Sequence, residues 1–166
     1  MIITNIDKSI SELQSTNTNI FEEYTLTEPL NLLIDSPKIN KIVEFLVYPK
    51  IKNINFINNK KEDLYFLSNE GYYKNFNKLN IELDIDQKII YTTKTKSEYV
   101  YNSSINTFKN VSIPIPESIN EHNTYNLFKS GKIQINPYVE NIYARKINDH
   151  NIYRAILFLI EVKFFV

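Results

Sequence analysis

The sequence predicts an all-β fold, an antiparallel sandwich or open barrel with an N-terminal extension arm and at most one short helix. Three observations carry that expectation. Apolar residues recur with period two over most of the chain, the spacing of a half-buried strand. About one residue in six is Ile, while only two Ala occur, a usage that suits strands and weakens helices. Polar loops punctuate the apolar runs with no helical pattern alternating between them. At 166 residues the chain makes one domain with a core of ordinary size.

Residues 1–23 read as an arm. Ile3, Ile6, Ile10 and Leu13 have the spacing of a short amphipathic helix, and "STNTN" after them reads as a linker. "MIITNIDKSISELQ" has neither a basic start nor a continuous apolar run, so it is not expected to be a secretory leader. "IVEFLVYPKIKNINFI" (42–57) is a long apolar strand whose Pro49 cannot donate to a ladder, which predicts an edge, a bulge or a break there. Residues 58–77, rich in Asn and Lys, form an enlarged hairpin tip around Gly71. "KLNIELDIDQKIIY" (78–91) is the clearest strand: Leu79, Ile81, Leu83, Ile85 and Ile89 share one face, and Asn80, Glu82, Asp84, Asp86 and Lys88 the other.

Further strands follow at 97–103, 109–115 and 131–147, with a short helix expected inside 116–131, ending at Gly131. The closing stretch "NIYRAILFLIEVKFFV" raises the question of a membrane anchor. Its uncharged run is only Ala155–Ile160, far short of the roughly 20 residues a spanning helix needs. Its even positions instead make a core strand, worth roughly 10 to 15 kcal/mol of gross apolar burial.

Chemistry is sparse. Lys plus Arg equals Asp plus Glu, so the formal net charge is zero, which argues against nucleic-acid binding and leaves little repulsion between copies. There is no Cys, hence no disulfide and no thiolate metal site. His122 and His150 stand alone in Asn-rich surroundings without metal-ligand spacing. Phosphate-cradling and nucleophile-elbow turns need glycines, and only Gly71 and Gly131 exist. The acidic row Glu82, Asp84, Asp86 has a calcium reading, but a solvated strand face is the plainer one. Tyr72 with Tyr73, and Tyr99 with Tyr101, suit a core, a protein interface or a sugar platform. The expectation is therefore a non-enzymatic protein with no catalytic residue, metal or cofactor.

Four segments, in order, resemble one family. "EPLNLLIDSPKINKIVEFLVYPKIKNI", "KLNIELDIDQKIIYTT", "EYVYNSSINTFKNVSIPIP" and "KIQINPYVENIYARKINDHNIYRAILFLIEVKF" are similar to successive strands of the SPOCS domain of spore-coat morphogenesis and clostridial spore-surface proteins. The resemblance spans about residues 24–166. The LysM module of some members is absent, the glycine usual before the central strand is missing near Asn77–Asn80, and 58–77 is enlarged. The resemblance implies a β-rich module that binds proteins of the coat or exosporium, made in the mother-cell cytoplasm and deposited on the spore surface.

Together these readings predict a structural subunit that assembles with itself, and with other spore-coat proteins, into a layer or filament by exchange of an arm or strand. The expected assembly residues are Ile2, Ile3, Ile6, Ile10, Leu13, Tyr72 and Tyr73. The alternatives are a coat-protein adaptor and a carbohydrate-binding sandwich. No nucleic acid and no membrane insertion are expected.

Overall fold

The computed structural model describes residues 18–33, 35–58, 76–93 and 99–166, and the backbone of 65–68 and 71–74. The strands are β1 (Asn19–Asn31), β2 (Ile39–Ile57), β3 (Tyr65–Ser68), β4 (Gly71–Lys74), β5 (Phe76–Thr93), β6 (Val100–Pro116), β7 (Ser118–Ile119), β8 (His122–Asn123), β9 (Ile133–Lys146) and β10 (Asn151–Phe164), with helix α1 (Thr124–Lys129). Two antiparallel three-stranded sheets, ordered β1-β10-β9 and β2-β5-β6, pack face to face as a sandwich that does not close into a barrel. Two small hairpins, β3-β4 and β7-β8, are appended.

The most regular alternations in the sequence become the two central strands. In β5 the odd positions from Leu79 to Thr93 are buried and the even ones partly exposed. In β10 the even positions from Ile152 to Phe164 are buried. A central strand has a ladder on both edges and a core on one face, so its side chains alone must separate inside from outside. The core also takes Phe45 and Val47 from β2, Val111, Ile113 and Ile115 from β6, and Ile135, Val139 and Ile142 from β9.

In β2 the alternation is broken. Register shifts at Ile39/Lys41, Ile42/Glu44 and Ile51/Asn53 reset its parity, so that Ile39, Ile42, Phe45, Ile51, Ile54 and Phe56 all pack against the core. The strands expected at 97–103 and 109–115 are one strand: β6 pairs with β5 from Val100 to Pro116 with no shift. The intervening "SINTFK" alternates too, with Ile105 turned to the core side. β1 begins at Asn19, so residues 19–23 belong to the sheet rather than to the arm.

Helix α1 is short but capped at both ends. The Asn123 side chain accepts from the Asn126 amide. At the other end Gly131 N–H bonds Phe128 O and Lys132 N–H bonds Leu127 O, a Schellman turn that places Gly131 at φ +70°. Gly131 therefore ends the helix as the sequence predicts.

Candidate functional site

The outer face of β2-β5-β6 accounts for the acidic row. Lys50 Nζ meets Asp86 at 2.8 Å and Lys52 Nζ meets Glu82 at 2.8 Å, both across the β2–β5 ladder. Asn106 of β6 donates to both Asp84 and Asp86. The hydrogen bond from Lys50, then that from Asn106, holds the Asp86 carboxyl below the usual range, and the Lys50 and Lys52 ammonium groups are correspondingly raised. This is a cross-strand charge ladder. Beside it lies a shallow groove of about 550 Å³ lined by Asn55, Asn80, Glu82, Asn110 and Ser112. Phe108, 61% exposed, stands two residues along β6 from Asn110, with Lys52 Nζ 4.6 Å from its ring centre.

Two polar clusters escape the simple face rule. Glu161 sits on the outer side of β10 yet is buried, accepting from Asn19, Asn136 and Tyr138 at 2.8 to 3.1 Å. Arg154 occupies a core position of β10 and is 2% exposed. Its Nη1 donates to Gln87 Oε1 from the facing central strand, and its Nη2 lies 3.5 Å from Glu28 of β1. Gln87 passes the connection on to Thr107 Oγ1 at 2.9 Å. Burial pushes the guanidinium below its ordinary range, while Glu28 pulls it back up. The Arg154 Nε is buried and finds no partner among the described residues. His122 is exposed in β8, and His150 lies in the β9–β10 turn.

The two sides of the sandwich differ. On the β2–β9 side the ends are tied: Ile39 N–H bonds Asp149 O at 2.8 Å, and Lys146 Nζ reaches both the Ile39 carbonyl and Asp149. On the β1–β6 side the direct link among the described residues is Tyr24, whose hydroxyl donates to Ser112 O at 2.8 Å. Burial, with help from the Glu22 carboxylate, pushes the Tyr24 phenol up to about 12.

Register then shows where each edge strand aims its backbone. In an antiparallel ladder, alternate residues turn both N–H and C=O to the same side. Ser112 O meets Tyr24 on the side away from β5. With the β5–β6 register constant, the even residues of β6 all point outward: Asn102, Ser104, Asn106, Phe108, Asn110, Ser112, Pro114 and Pro116. In β1 the bonds Phe164 N–Thr18 O and Leu32 N–His150 O make even residues face β10, so Pro29 points outward. In β9 the bond Phe165 N–Lys132 O likewise leaves Pro137 outward. Pro49 lies on edge strand β2, as the sequence predicts. Each of these prolines removes an N–H from an edge where it would otherwise be open.

One long stretch lacks that protection. From Asn102 to Asn110, β6 turns five residues' backbone groups outward, and no hydrogen bond reaches them among the described residues. Its core-side residues Ser103, Ile105, Thr107 and Lys109 are only half-buried. Tyr99 and Val100, 58% and 65% exposed, stand at its start.

Of the expected assembly residues, Ile2, Ile3, Ile6, Ile10 and Leu13 lie outside the described residues. Tyr72 and Tyr73 fall in β4, in register with Leu67 and Phe66 of β3. The open edge of β6 was not singled out by sequence reasoning. The signal for it was present in the spacing of prolines: Pro114 and Pro116 share a parity that no residue between 100 and 113 occupies with a proline. No helix among the described residues is long and apolar enough to cross a membrane. No protein-family model matches the chain, and no curated protein or solved structure shows significant similarity to it.

Proposed function

We propose that this chain is a non-enzymatic structural subunit of the bacterial spore surface that assembles with copies of itself into a layer or filament by strand exchange. The observation that carries the assembly reading is the unclosed β1–β6 side of the sandwich, spanned by Tyr24 and flanked by exposed Tyr99, Val100 and Phe108. Backbone donors and acceptors on such a side are satisfied by water in a lone copy and by a strand in an assembly. A head-to-tail contact of that kind generates rings or open polymers, and zero formal net charge offers little long-range opposition. The spore setting rests on the resemblance of four segments to the SPOCS domain.

The test is sedimentation and negative-stain microscopy of the purified full chain over a concentration series. Polymers that grow with concentration support the proposal. Particles that stay monomeric or dimeric at the highest concentration favour the adaptor reading instead. Carbohydrate binding is favoured by one feature, the groove of Asn55, Asn80, Glu82, Asn110 and Ser112 beside exposed Phe108. Amides and a carboxylate can share hydrogen bonds with sugar hydroxyls while an aromatic ring stacks on the sugar. A glycan-binding screen with Phe108→Ala as the control decides it.

A further inference from the structure

We infer that the acceptor for strand exchange is the outward edge of β6 from Asn102 to Asn110, and that its occupant is the segment 2–10 of a second copy. This rests on the self-assembly reading and specifies its contact. Prolines stand on all four edge strands, and two of them close the far end of β6 itself. Among the described residues nothing bonds the outward N–H and C=O groups of five residues in the stretch 102–110, room for a donor of nine residues.

The occupant is argued from chemistry, length and direction. An incoming strand must suit both faces of the edge. On the core side β6 offers Ser103, half-buried Ile105, Thr107 and Lys109. On the outer side it offers Asn102, Ser104, Asn106 and Phe108. Read as a strand, residues 2–10 place Ile2, Thr4, Ile6, Lys8 and Ile10 on one side and Ile3, Asn5, Asp7 and Ser9 on the other. The first set would cover Ile105 and the exposed margin of the core, and the second would continue the polar outer face.

The route favours another copy over the same one. Tyr24 lies against Ser112, while Glu28 connects through Arg154 and Gln87 to Thr107. β1 therefore runs from the proline end of β6 toward its open stretch. Residues 1–17 precede β1 at its start, the end remote from that stretch, so reaching the open stretch of the same copy would require the chain to reverse direction. Seventeen residues reach up to about 60 Å when extended, enough to meet a neighbouring molecule.

The chain has no cysteine, so introduced pairs report contacts cleanly. Full-length copies carrying Ile6→Cys are mixed with differently tagged copies carrying Ser103→Cys or Ser104→Cys, one on each face of β6, and oxidised. In parallel, Ser104→Pro removes one outward N–H and leaves the β5 ladder intact, as Pro114 and Pro116 already do. The expected result is a disulfide between differently tagged copies and at least a tenfold higher concentration needed for Ser104→Pro to polymerise. If the wild-type chain polymerises but no such disulfide forms and Ser104→Pro polymerises equally, the acceptor inference is overturned while self-assembly stands. In a third sample each chain carries both Ile6→Cys and Ser103→Cys; a disulfide that closes within such chains while the mixed copies stay unlinked would show self-occupancy and also overturn it. A wild-type chain that stays dispersed and uncrosslinked removes both claims. Should Ser104→Pro fail to fold by circular dichroism, Asn102→Pro and the disulfide result decide.

Discussion

The buried guanidinium of Arg154 makes the sharpest demand on the fold. Nη1 is held by Gln87, Nη2 reaches a Glu28 side chain that is itself 54% exposed, and Nε has no partner among the described residues. A buried charge so incompletely satisfied is costly to keep, and removing its chief partner should cost more than removing the charge. Gln87→Leu deletes a hydrogen bond to a charged group and strands the cation, a loss of about 3 to 5 kcal/mol by analogy with broken buried pairs. Arg154→Met leaves the Gln87 carbonyl unpaired but frees the core of a charge, so its net effect should lie within about 1 kcal/mol of zero. In the double variant both polar ends are gone. It should match the wild type or exceed it by about 1 to 3 kcal/mol, less whatever Thr107 loses as an acceptor. Urea unfolding of the four proteins at one low protein concentration measures the cycle, the shift in midpoint times the slope giving each difference. A Gln87→Leu loss below about 0.5 kcal/mol, the range of an ordinary surface change, would show instead that the guanidinium reaches water.

Two smaller perturbations probe the seam and the helix end. The Tyr24 phenol titrates near 12 in the folded chain against an ordinary 10, so the neutral form is the one folding favours. Its stabilisation is complete below pH 10 and is lost as pH rises from 10 through 12; Tyr24→Phe should flatten that alkaline loss while costing about 1 kcal/mol at neutral pH for the bond to Ser112. Thermal melts of both proteins at pH 8 and pH 11 test the sign. At Gly131, φ is +70° and an added methyl would meet nothing within 4 Å. Gly131→Ala should therefore lose about 1 kcal/mol from the backbone alone, and Gly131→Asn less, as read by the same melts.

Much of the sandwich was legible because its two central strands are regular. "KLNIELDIDQKIIY" and "NIYRAILFLIEVKF" alternate cleanly, and each became a central strand with the expected face inside. The residues that broke the reading broke it for physical reasons. Arg154 shares the parity of Ile152 and Ile156, and only the partner strand supplies the Gln87 that lets a cation sit there. Glu161 has the parity of the outer face, but Asn19 and Asn136 on the flanking strands enclose it. In β2 three register shifts moved apolar residues inward that a strict period of two would have left outside. Each exception depends on a contact distant in sequence, which periodicity cannot encode.

Sheet order, by contrast, was partly written in the prolines. Pro29, Pro49, Pro114, Pro116 and Pro137 all fall on edge strands, and neither β5 nor β10 contains one. A central strand bonds on both sides, so a proline there always forfeits a ladder bond, whereas an edge strand can turn the missing N–H outward. The two proline-free strands of this length, apart from the short hairpins, are thus the two that can be central. The same logic gives the open part of β6 its meaning. An edge that needed protection along its whole length could have carried proline at 104 or 106 as readily as at 114 and 116, since the outward parity is identical. Protection stops at Ser112, where Tyr24 takes the carbonyl, and among the described residues nothing bonds the donors of the five outward residues beyond it. An edge guarded at one end and able to bond at the other fits the proposed strand exchange at a defined position.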